Sequence, residues 1–253
     1  TTGNARVYRK QRVSVRLVEP PDKLLAPEPG PLGILFEDAW VLIVNKPAGT
    51  ATQGALPSEE SLLEAAKQDV KIRFRKPGAV YLGVVSRLDK PVSGAVVFAR
   101  TSKAAKRLNE QFRARTVRKT YWAAVSGNVR PVEARLVHWL ATCDDARRTR
   151  VVSADAPGAK EAALRYRLLQ ELEEGALLEI ELETGRKHQI RAQLAHLGHP
   201  IFGDRKYGSR RPFPHGVALH ARRLEFEHPT RKVPIQVEAP LPAAWNSLGL
   251  SQA

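Results

Sequence analysis

The sequence predicts an α+β fold in which a mixed, largely antiparallel β-sheet is flanked by a few helices. Short apolar runs with strand-like alternation recur along the 253 residues, whereas runs with a helical period are few. The helical runs are inserted unevenly among the strands, which is typical of α+β chains. Hydrophobic residues make up 43% of the sequence, which is enough to build a core for such a sheet.

The predicted elements follow from residue types and from end signals. In chain order, the strands are Ile34–Phe36, Val41–Val44, Val80–Val85, Ala95–Phe98, Tyr121–Val125, Ala162–Leu169, Ala176–Leu182, Leu219–Phe226 and Val233–Val237. The helices are a run after the Ser61–Glu64 capping box, a run capped by Thr101 or Ser102 that reaches Phe112, and Lys187–Leu197 before Gly198 and Pro200.

We divide the chain into an N-terminal extension (residues 1–31), a main domain (residues 32–245) and a C-terminal tail (residues 246–253). Within the extension, residues 12–18 alternate polar and apolar side chains like a short strand. Residues 20–31 contain repeated prolines, which remove backbone donors and fix φ. They therefore favour a connector over a helix or an inner strand.

The chain is strongly basic, with 41 Lys and Arg against 26 Asp and Glu and a formal net charge of +15. Such a chain attracts polyanions at long range. Nucleic acid is the commonest such partner, an anionic membrane surface is the rival, and a basic protein without a polyanion partner is the third possibility. No run approaches the roughly 20 apolar residues of a membrane helix, so we expect no membrane association.

Cysteine content and the N-terminus indicate the compartment. The single cysteine, Cys143, excludes a disulfide within the chain and favours a reducing compartment. The N-terminus lacks the apolar core of a signal peptide. We therefore expect a cytoplasmic protein.

Charge is distributed unevenly along the chain. Residues 100–119 hold eight Lys or Arg against one acid, Glu110. Further basic clusters lie at residues 147–150, 186–187 and 205–211, whereas acids gather at residues 171–183. This separation predicts one face for a phosphate backbone, and the alternative for any single cluster is a solvated helix face.

Two segments place charged and polar residues directly after an apolar strand. Ser86–Gly94 reads Ser-Arg-Leu-Asp-Lys-Pro-Val-Ser-Gly, and Glu183–Arg191 reads Glu-Thr-Gly-Arg-Lys-His-Gln-Ile-Arg. Polar side chains at such junctions are well placed to bind a ligand. Charges between buried strands are costly unless they pair, so the residues alone favour an ion pair between Arg87 and Asp89.

Four motifs resemble, in order, those of the RluA-type pseudouridine synthases. They are Glu37–Gly49 with its Asn-Lys-Pro-Ala-Gly end, Arg87–Gly94, Arg118–Tyr121, and Thr184–Arg191 continued by the Gly-Asp and Tyr-Gly block that ends at Gly208. The resemblance spans most of the chain. It implies the pseudouridine synthase catalytic fold and isomerisation of uridine to pseudouridine within ribosomal or transfer RNA, with no cofactor and no metal.

The resemblance also implies roles for individual residues. Asp89 is expected to be the catalytic carboxylate, acting either as a nucleophile at C1′ of the ribose or as a base toward the sugar. Arg191 is expected to pair with Asp89. Tyr121 is expected to stack on the uracil and to help with the proton lost from C5, although a core aromatic is the alternative for any strand tyrosine. Ile190 is expected to form an apolar floor for the base, and Arg87 to contact RNA or orient its loop.

The predicted substrate-binding set is completed by three further positions: His188, Arg186 and Lys119. The target uridine is expected to be flipped out of its stack. We also expect a monomer without the S4 RNA-binding domain common in the family, because about 30 residues before the main domain are too few for a domain.

The chain departs from the family pattern at three positions. Ser86 stands where His is usual, Val92 where Thr is usual, and Gln193 where a second His often follows. These departures leave open a second hypothesis, a catalytically idle RNA-binding or RNA-remodelling protein with the same fold.

A metal site is not predicted. His188, His196, His199 and Asp204 are close in sequence, but the chain has no His-Glu-x-x-His motif and no Cys pair. A phosphate-binding loop and a Gly-x-Gly-x-x-Gly motif are also missing from the sequence.

Overall fold

The computed structural model describes residues 32–54, 59–143 and 148–250. The predicted strand at residues 12–18 and the proline-rich connector lie outside the described residues. The end of the predicted tail does so too.

The described chain contains eleven strands and three α-helices. The strands are β1 (Ile34–Glu37), β2 (Val41–Lys46), β3 (Gly83–Val84), β4 (Ser93–Ala99), β5 (Arg118–Ser126), β6 (Glu133–Cys143), β7 (Arg148–Val152), β8 (Lys160–Leu172), β9 (Gly175–Leu182), β10 (Leu219–Glu227) and β11 (Pro234–Glu238). The helices are α1 (Leu62–Arg73), α2 (Ser102–Arg113) and α3 (Gln189–His196), with short 3-10 helices at Arg205–Tyr207 and Ala243–Leu248. Within the described ranges, no helix is long and apolar enough to cross a membrane.

Contacts divide the chain into two compact units. Unit 1 comprises the described residues up to Arg118 together with Ala221–Leu241, and unit 2 comprises Lys119–His220 and the described residues from Pro242 onward. The division of the chain at residues 31 and 245 stays a prediction.

Unit 1 is a sheet layered between two helices. β1, β2 and β4 are neighbours, β3 pairs with the end of β4, and β10 pairs with β11, all antiparallel. On β2, Leu42 and Val44 belong to the core cluster that includes α1. Val41 and Ile43 belong to the cluster that includes α2. Because successive strand residues point to opposite faces, α1 and α2 cover opposite faces of this sheet.

The predicted caps of both unit 1 helices are confirmed. The Ser61 hydroxyl accepts from the Glu64 backbone N–H at 3.3 Å, and the Thr101 hydroxyl accepts from the Ala104 N–H at 3.1 Å. Each cap satisfies one of the N–H groups that a helix start leaves without an intrahelical partner.

Unit 2 is an antiparallel sheet with strand order β5-β9-β8-β6-β7. Helix α3 packs on one face of it, where Ala192 meets Leu140 of β6 and Ala162 of β8. Both units thus combine antiparallel strands with few helices, as the sequence predicted.

Three element predictions were incomplete. The strands β6 and β7 were not predicted, and the Arg-Thr-Arg cluster after residue 147 proves to form β7. The predicted strand Val80–Val85 pairs only at Gly83–Val84, although the side chains of Val80 and Leu82 are buried in the core. Helix α3 begins at Gln189, later than predicted, because His188 adopts a left-handed conformation with φ of 53°.

Candidate active site

Unit 1 supplies the loop between β3 and β4 that carries Asp89. Asp89 is half-buried. The Thr52 hydroxyl accepts from the Leu88 N–H at 3.1 Å and donates to the Leu88 carbonyl at 2.9 Å. The Gly49 N–H donates to the Lys90 carbonyl at 2.8 Å. The loop after β2 therefore holds the main chain on both sides of Asp89.

Lys46, at the end of β2, anchors the same two loops from inside. Its ammonium group is buried and donates to the carbonyls of Pro47 at 2.8 Å, Thr50 at 2.7 Å and Lys90 at 3.1 Å. Burial lowers the pKa of Lys46 to about 7, and the negative charge of Asp89 opposes that shift. Sequence reasoning assigned Lys46 no role, although a lysine directly after an apolar strand and before Pro47 was an available signal.

Two departures from the family pattern lie in this loop. The Ser86 hydroxyl accepts from the Val97 N–H of β4 at 3.4 Å. Val92 is buried, and its N–H donates to the Asp89 carbonyl at 3.0 Å. Both residues therefore support the loop from its ends.

The environment of Arg87 differs from the ion pair with Asp89 that the residues alone favoured. Its side chain is exposed. Across the described ranges, no ion pair joins Arg87 to Asp89.

Unit 2 supplies Tyr121 on β5. Its side chain is 9% exposed and lies opposite Ile180 of β9, which lies opposite Tyr166 of β8. Residues opposite each other across antiparallel strands share a face, and Ala162, four residues before Tyr166, is packed against α3. Tyr121 therefore lies on the sheet face that α3 covers.

Arg191 on α3 is held by a buried carboxylate. Its Nε and Nη2 donate to the two oxygens of Asp204 at 2.7 Å and 2.9 Å. Its guanidinium carbon lies 5.0 Å from the centre of the Tyr207 ring. The motifs predicted Asp89 as the partner of Arg191 and no role for Asp204, although both Asp204 and Tyr207 belong to the Gly-Asp and Tyr-Gly block. This block thus positions Arg191.

The Thr-Gly-Arg-x-His-Gln motif forms the turn that starts α3. The Thr184 hydroxyl accepts from the Ala163 N–H at 2.9 Å and donates to the Gln189 side-chain oxygen at 2.8 Å. The same oxygen accepts from the Arg186 N–H at 3.0 Å, and the Gln189 amide donates to the Ala163 carbonyl at 3.0 Å. These bonds tie the start of α3 to β8 and so orient Ile190 and Arg191.

The other predicted substrate-binding residues surround this turn. Ile190 is buried. The Nδ1 atom of His188 lies 2.9 Å from the Tyr207 hydroxyl. Arg186 donates from Nε to the Glu161 carbonyl at 2.8 Å.

Lys119 approaches the turn from β5. A Cβ added at Gly185 would lie in ordinary van der Waals contact with its Nζ, at 3.5 Å, so the ammonium group lies beside Gly185. Burial lowers the pKa of Lys119. Lys119 is therefore a half-buried cation beside the start of α3.

Gln193 has a structural environment of its own. It is buried, its side-chain nitrogen lies 3.0 Å from Nδ1 of His138, and it donates to the Ala162 carbonyl at 3.2 Å. Gln193, which departs from the family pattern, therefore links α3 to β6 and β8.

The residues considered for a metal site have other partners. Asp204 binds Arg191, His188 meets Tyr207, and Nδ1 of His199 lies 3.0 Å from the Ser126 carbonyl. In the portion of the chain that the structure describes, no three His, Cys, Asp or Glu side chains form a cluster that could hold a metal ion.

The predicted set is divided between the units. Asp89 and Arg87 belong to unit 1, whereas Tyr121 and Arg191 belong to unit 2 together with the other predicted substrate-binding residues. Within unit 2, the structure brings Arg191, His188 and Tyr207 together. The pairing of Asp89 with Arg191 stays a prediction.

Comparison with known proteins identifies similar chains. The sequence model of a family described as RNA pseudouridylate synthase matches residues 40–196. An uncharacterized RNA pseudouridine synthase of Bacillus subtilis is 36% identical over 248 residues, covering 97% of this chain and 80% of the relative. Ribosomal large subunit pseudouridine synthase D of Xylella fastidiosa is 38% identical over 231 residues, covering 85% and 68%.

A solved structure is similar as well. Human RNA Pseudouridylate Synthase Domain Containing 4 superposes with a TM-score of 0.72 and 25% identity, covering 87% of this chain and 94% of the human chain. These likenesses agree with the fold class and with the motifs found in the sequence.

Proposed function

The chain belongs to the RNA pseudouridine synthase family, and from this premise we propose that it modifies uridine in large-subunit ribosomal RNA with Asp89 as the catalytic carboxylate. The family isomerises uridine to pseudouridine within RNA, so the chain is an isomerase. Its similarity to synthases named for the ribosomal large subunit favours ribosomal over transfer RNA. Transfer RNA is the alternative substrate.

The proposed reaction conserves atoms and electrons. The bond between N1 and C1′ breaks, the base turns, and a bond forms between C5 and C1′. The proton on C5 leaves, and N1 gains a proton. Positive charge that develops at C1′ is stabilised or captured by an ionised carboxylate, which is the chemistry that Asp89 offers.

The observation that carries the proposal is the held position of Asp89. Hydrogen bonds from Thr52 and Gly49 fix the main chain on both sides of it, and the buried Lys46 ammonium lies within its electrostatic reach. A carboxylate that is held before substrate arrives loses little entropy in the reaction. For Arg87, whose side chain is exposed, we propose a contact to RNA.

The proposed roles in unit 2 rest on burial and on charge. We assign Tyr121 to stacking on the uracil and to the C5 proton, and Ile190 to the apolar floor under the base. Arg191 is the cation proposed to pair with Asp89 when the site is assembled. His188, Arg186 and Lys119 are proposed substrate contacts beside the start of α3.

The substitution Asp89→Asn tests the role of the carboxylate. It removes the negative charge but keeps the size of the side chain, so pseudouridine formation should fall by about 10³-fold or more. RNA binding should change by no more than a few-fold. The measurement is single-turnover pseudouridine formation on large-subunit ribosomal RNA, beside a binding titration.

The matched control is Asp155→Asn, which changes an exposed aspartate in a turn of unit 2. It should leave the rate unchanged. An unchanged rate in Asp89→Asn would remove Asp89 from the mechanism. Binding of ribosomal RNA without any pseudouridine formation by the wild-type chain would favour the idle RNA-binding hypothesis.

The substrate, the compartment and the assembly state each have a direct test. Mapping of pseudouridine in ribosomal and transfer RNA from cells with and without the chain identifies the target. We propose a cytoplasmic monomer, for which fractionation and sedimentation are the direct measurements.

A further inference from the structure

A second surface of unit 1 lies at the opposite end of β4 from Asp89. The Asp89 loop enters β4 at Ser93, whereas α2 begins shortly after the last strand residue, Ala99. Seven residues of β4 place the two ends about 20 Å apart, since a strand rises about 3.3 Å per residue. Contacts at the Ala99 end are therefore separate from those around Asp89.

An exposed aromatic ring is held in place at this far end. Phe74 follows α1, is 40% exposed, and lies with its ring centre 5.2 Å from the guanidinium of Arg73 and 4.8 Å from that of Arg100. Both arginines pair with the buried carboxylate of Glu37. The ring is thus kept at the surface by cations whose own positions are fixed by ion pairs.

A second exposed ring borders α2. Tyr81 is 51% exposed. A Cβ added at Gly83 would lie 2.9 Å from the Tyr81 hydroxyl and 3.0 Å from Cβ of Ala105 in α2. The tyrosine therefore folds over Gly83 toward the first turns of α2.

The first turns of α2, which follow Arg100 and contain Ala105, also carry exposed cations. Lys103 and Lys106 are exposed and three residues apart, so they share one face of the helix. Neither lysine forms an ion pair with any residue that the structure describes. Several acids at residues 171–183 behave differently, because Glu171, Glu179 and Glu183 all pair with arginines.

Arg75 adds a cation at a position where the backbone favours glycine. It has φ of 47° after the end of α1, where its N–H donates to the Ile72 carbonyl at 3.2 Å. Left-handed residues that end helices are usually glycine, because glycine has no Cβ to clash. An arginine there costs backbone energy that a glycine would avoid.

We propose that Phe74, Arg75, Tyr81, Lys103 and Lys106 form an RNA-binding face, here called the far face, that holds unpaired RNA beyond the target nucleotide. The lysines and Arg75 bind phosphates, and the two rings stack on bases, as single-stranded RNA is commonly held. The inference rests on the proposed function for its RNA partner. It adds a second contact, about one β4 length away from Asp89.

The charge of the far face is tested by Lys103→Glu with Lys106→Glu. The probe is a fluorescent oligouridylate of about 20 nucleotides, longer than the ~4–16 nucleotides that single-strand binding folds cover. The double variant should bind at least about tenfold more weakly. Its plot of log affinity against log salt should lose a slope of roughly 0.7 for each phosphate contact removed.

The matched control is Lys160→Glu with Lys232→Glu, which makes the same charge change at exposed lysines of β8 and of the turn between β10 and β11. It should weaken binding by no more than a few-fold. Equal losses in the two double variants would overturn the far face, because net charge alone would then explain the binding.

Stacking is tested separately at Tyr81. Tyr81→Ala should weaken binding of the oligouridylate by about fivefold or more, whereas Tyr81→Phe should keep it, because either aromatic ring can stack. An unchanged affinity in Tyr81→Ala overturns the stacking role. Binding of the wild-type chain to vesicles of anionic phospholipid, lost in the Lys103→Glu and Lys106→Glu variant while oligouridylate binding stays, would assign the face to a membrane surface instead.

Arg75→Gly distinguishes an RNA contact from a purely structural role. Glycine relieves the left-handed backbone, so the melting temperature should stay the same or rise while oligouridylate binding weakens. If the arginine serves only the α1 helix dipole, the melting temperature falls, binding is unchanged, and Arg75 is removed from the face. Because these readouts are binding and stability, they remain interpretable even if the Asp89→Asn experiment rejects the proposed function.

Discussion

At the scale of single residues, two buried basic side chains have different electrostatic environments. Lys46 is surrounded by neutral carbonyls, so burial lowers its pKa to about 7. Arg191 is held by the carboxylate of Asp204 in a two-bond pair, which compensates its charge directly. A lysine that is buried among neutral carbonyls can lose its proton, whereas a buried arginine stays protonated.

The lowered pKa of Lys46 predicts a specific pH dependence of stability. Between about pH 7 and its ordinary pKa of 10.5, Lys46 is charged in the unfolded chain and largely neutral in the folded chain. The unfolded state then binds more protons, so this group makes the unfolding free energy rise with pH over that window. The contribution is lost as pH falls from 10.5 to about 7.

The measurement is NMR titration of the lysine Cε carbons. One resonance, assigned by its loss in Lys46→Met, should titrate near pH 7, apart from the other lysines. A titration of Lys46 near pH 10.5 would contradict the prediction. The variant should also lack this part of the rise in stability between pH 7 and 10.

The Arg191–Asp204 pair predicts a large loss of stability on substitution. Asp204→Asn removes the carboxylate charge of the buried pair with Arg191, which should cost about 3–5 kcal/mol of unfolding free energy. Urea unfolding followed by circular dichroism measures it. The control Glu171→Gln breaks the exposed pair with Arg130 and should cost less than about 1 kcal/mol; equal costs would show that burial of the pair carries no energetic weight.

At the scale of elements, β4 and β10 lie so close together that one position of β4 has no room for a side chain. Gly94 at the start of β4 has φ of +119°, and a Cβ there would lie 2.4 Å from the Ala221 carbonyl oxygen of β10. Such approaches require glycine. The loop that carries Asp89 therefore ends at a residue that cannot change without moving β10.

Gly94→Ala should destabilise the protein by about 2–6 kcal/mol, because backbone strain and overpacking each cost about 1–3 kcal/mol. Thermal and urea unfolding provide the measurement. Gly78→Ala is the matched control, since nothing lies within 4 Å of its added Cβ, and it should change stability by less than about 1 kcal/mol. A Gly94→Ala protein of wild-type stability would show that β4 and β10 can separate freely.

At the scale of the whole molecule, the net charge of +15 is not evenly available for RNA. Arginines on β6 and β8 are occupied by Glu183 and Glu179. The lysines at the start of α2 form no ion pair within the described ranges. Binding should therefore depend on a subset of the cations.

Salt titration of RNA binding tests this expectation. Affinity for ribosomal RNA should fall at least about tenfold between about 50 and 200 mM salt, because phosphate contacts release bound counterions. Fluorescence anisotropy at several salt concentrations gives the slope. An affinity that is insensitive to salt over this range would refute contacts dominated by phosphate.

The sequence predicted most strands because their signals are local. The predicted strands Ala162–Leu169 and Ala176–Leu182 lie within β8 and β9, and the caps at Ser61 and Thr101 form as predicted. β6 was not predicted because its more exposed face also carries apolar residues, Val137 and Trp139, so its sequence lacks a clear apolar alternation.

By itself, the sequence determined the family, the fold class and the identity of Asp89, Tyr121 and Arg191 as candidate residues, since motifs and periodicity are properties of neighbouring positions. Only the tertiary structure decided that Asp204 holds Arg191 and that Lys46 is buried beneath the Asp89 loop. Burial and charge pairing depend on which distant segments meet, and electrostatic energy is decided by that environment rather than by residue type.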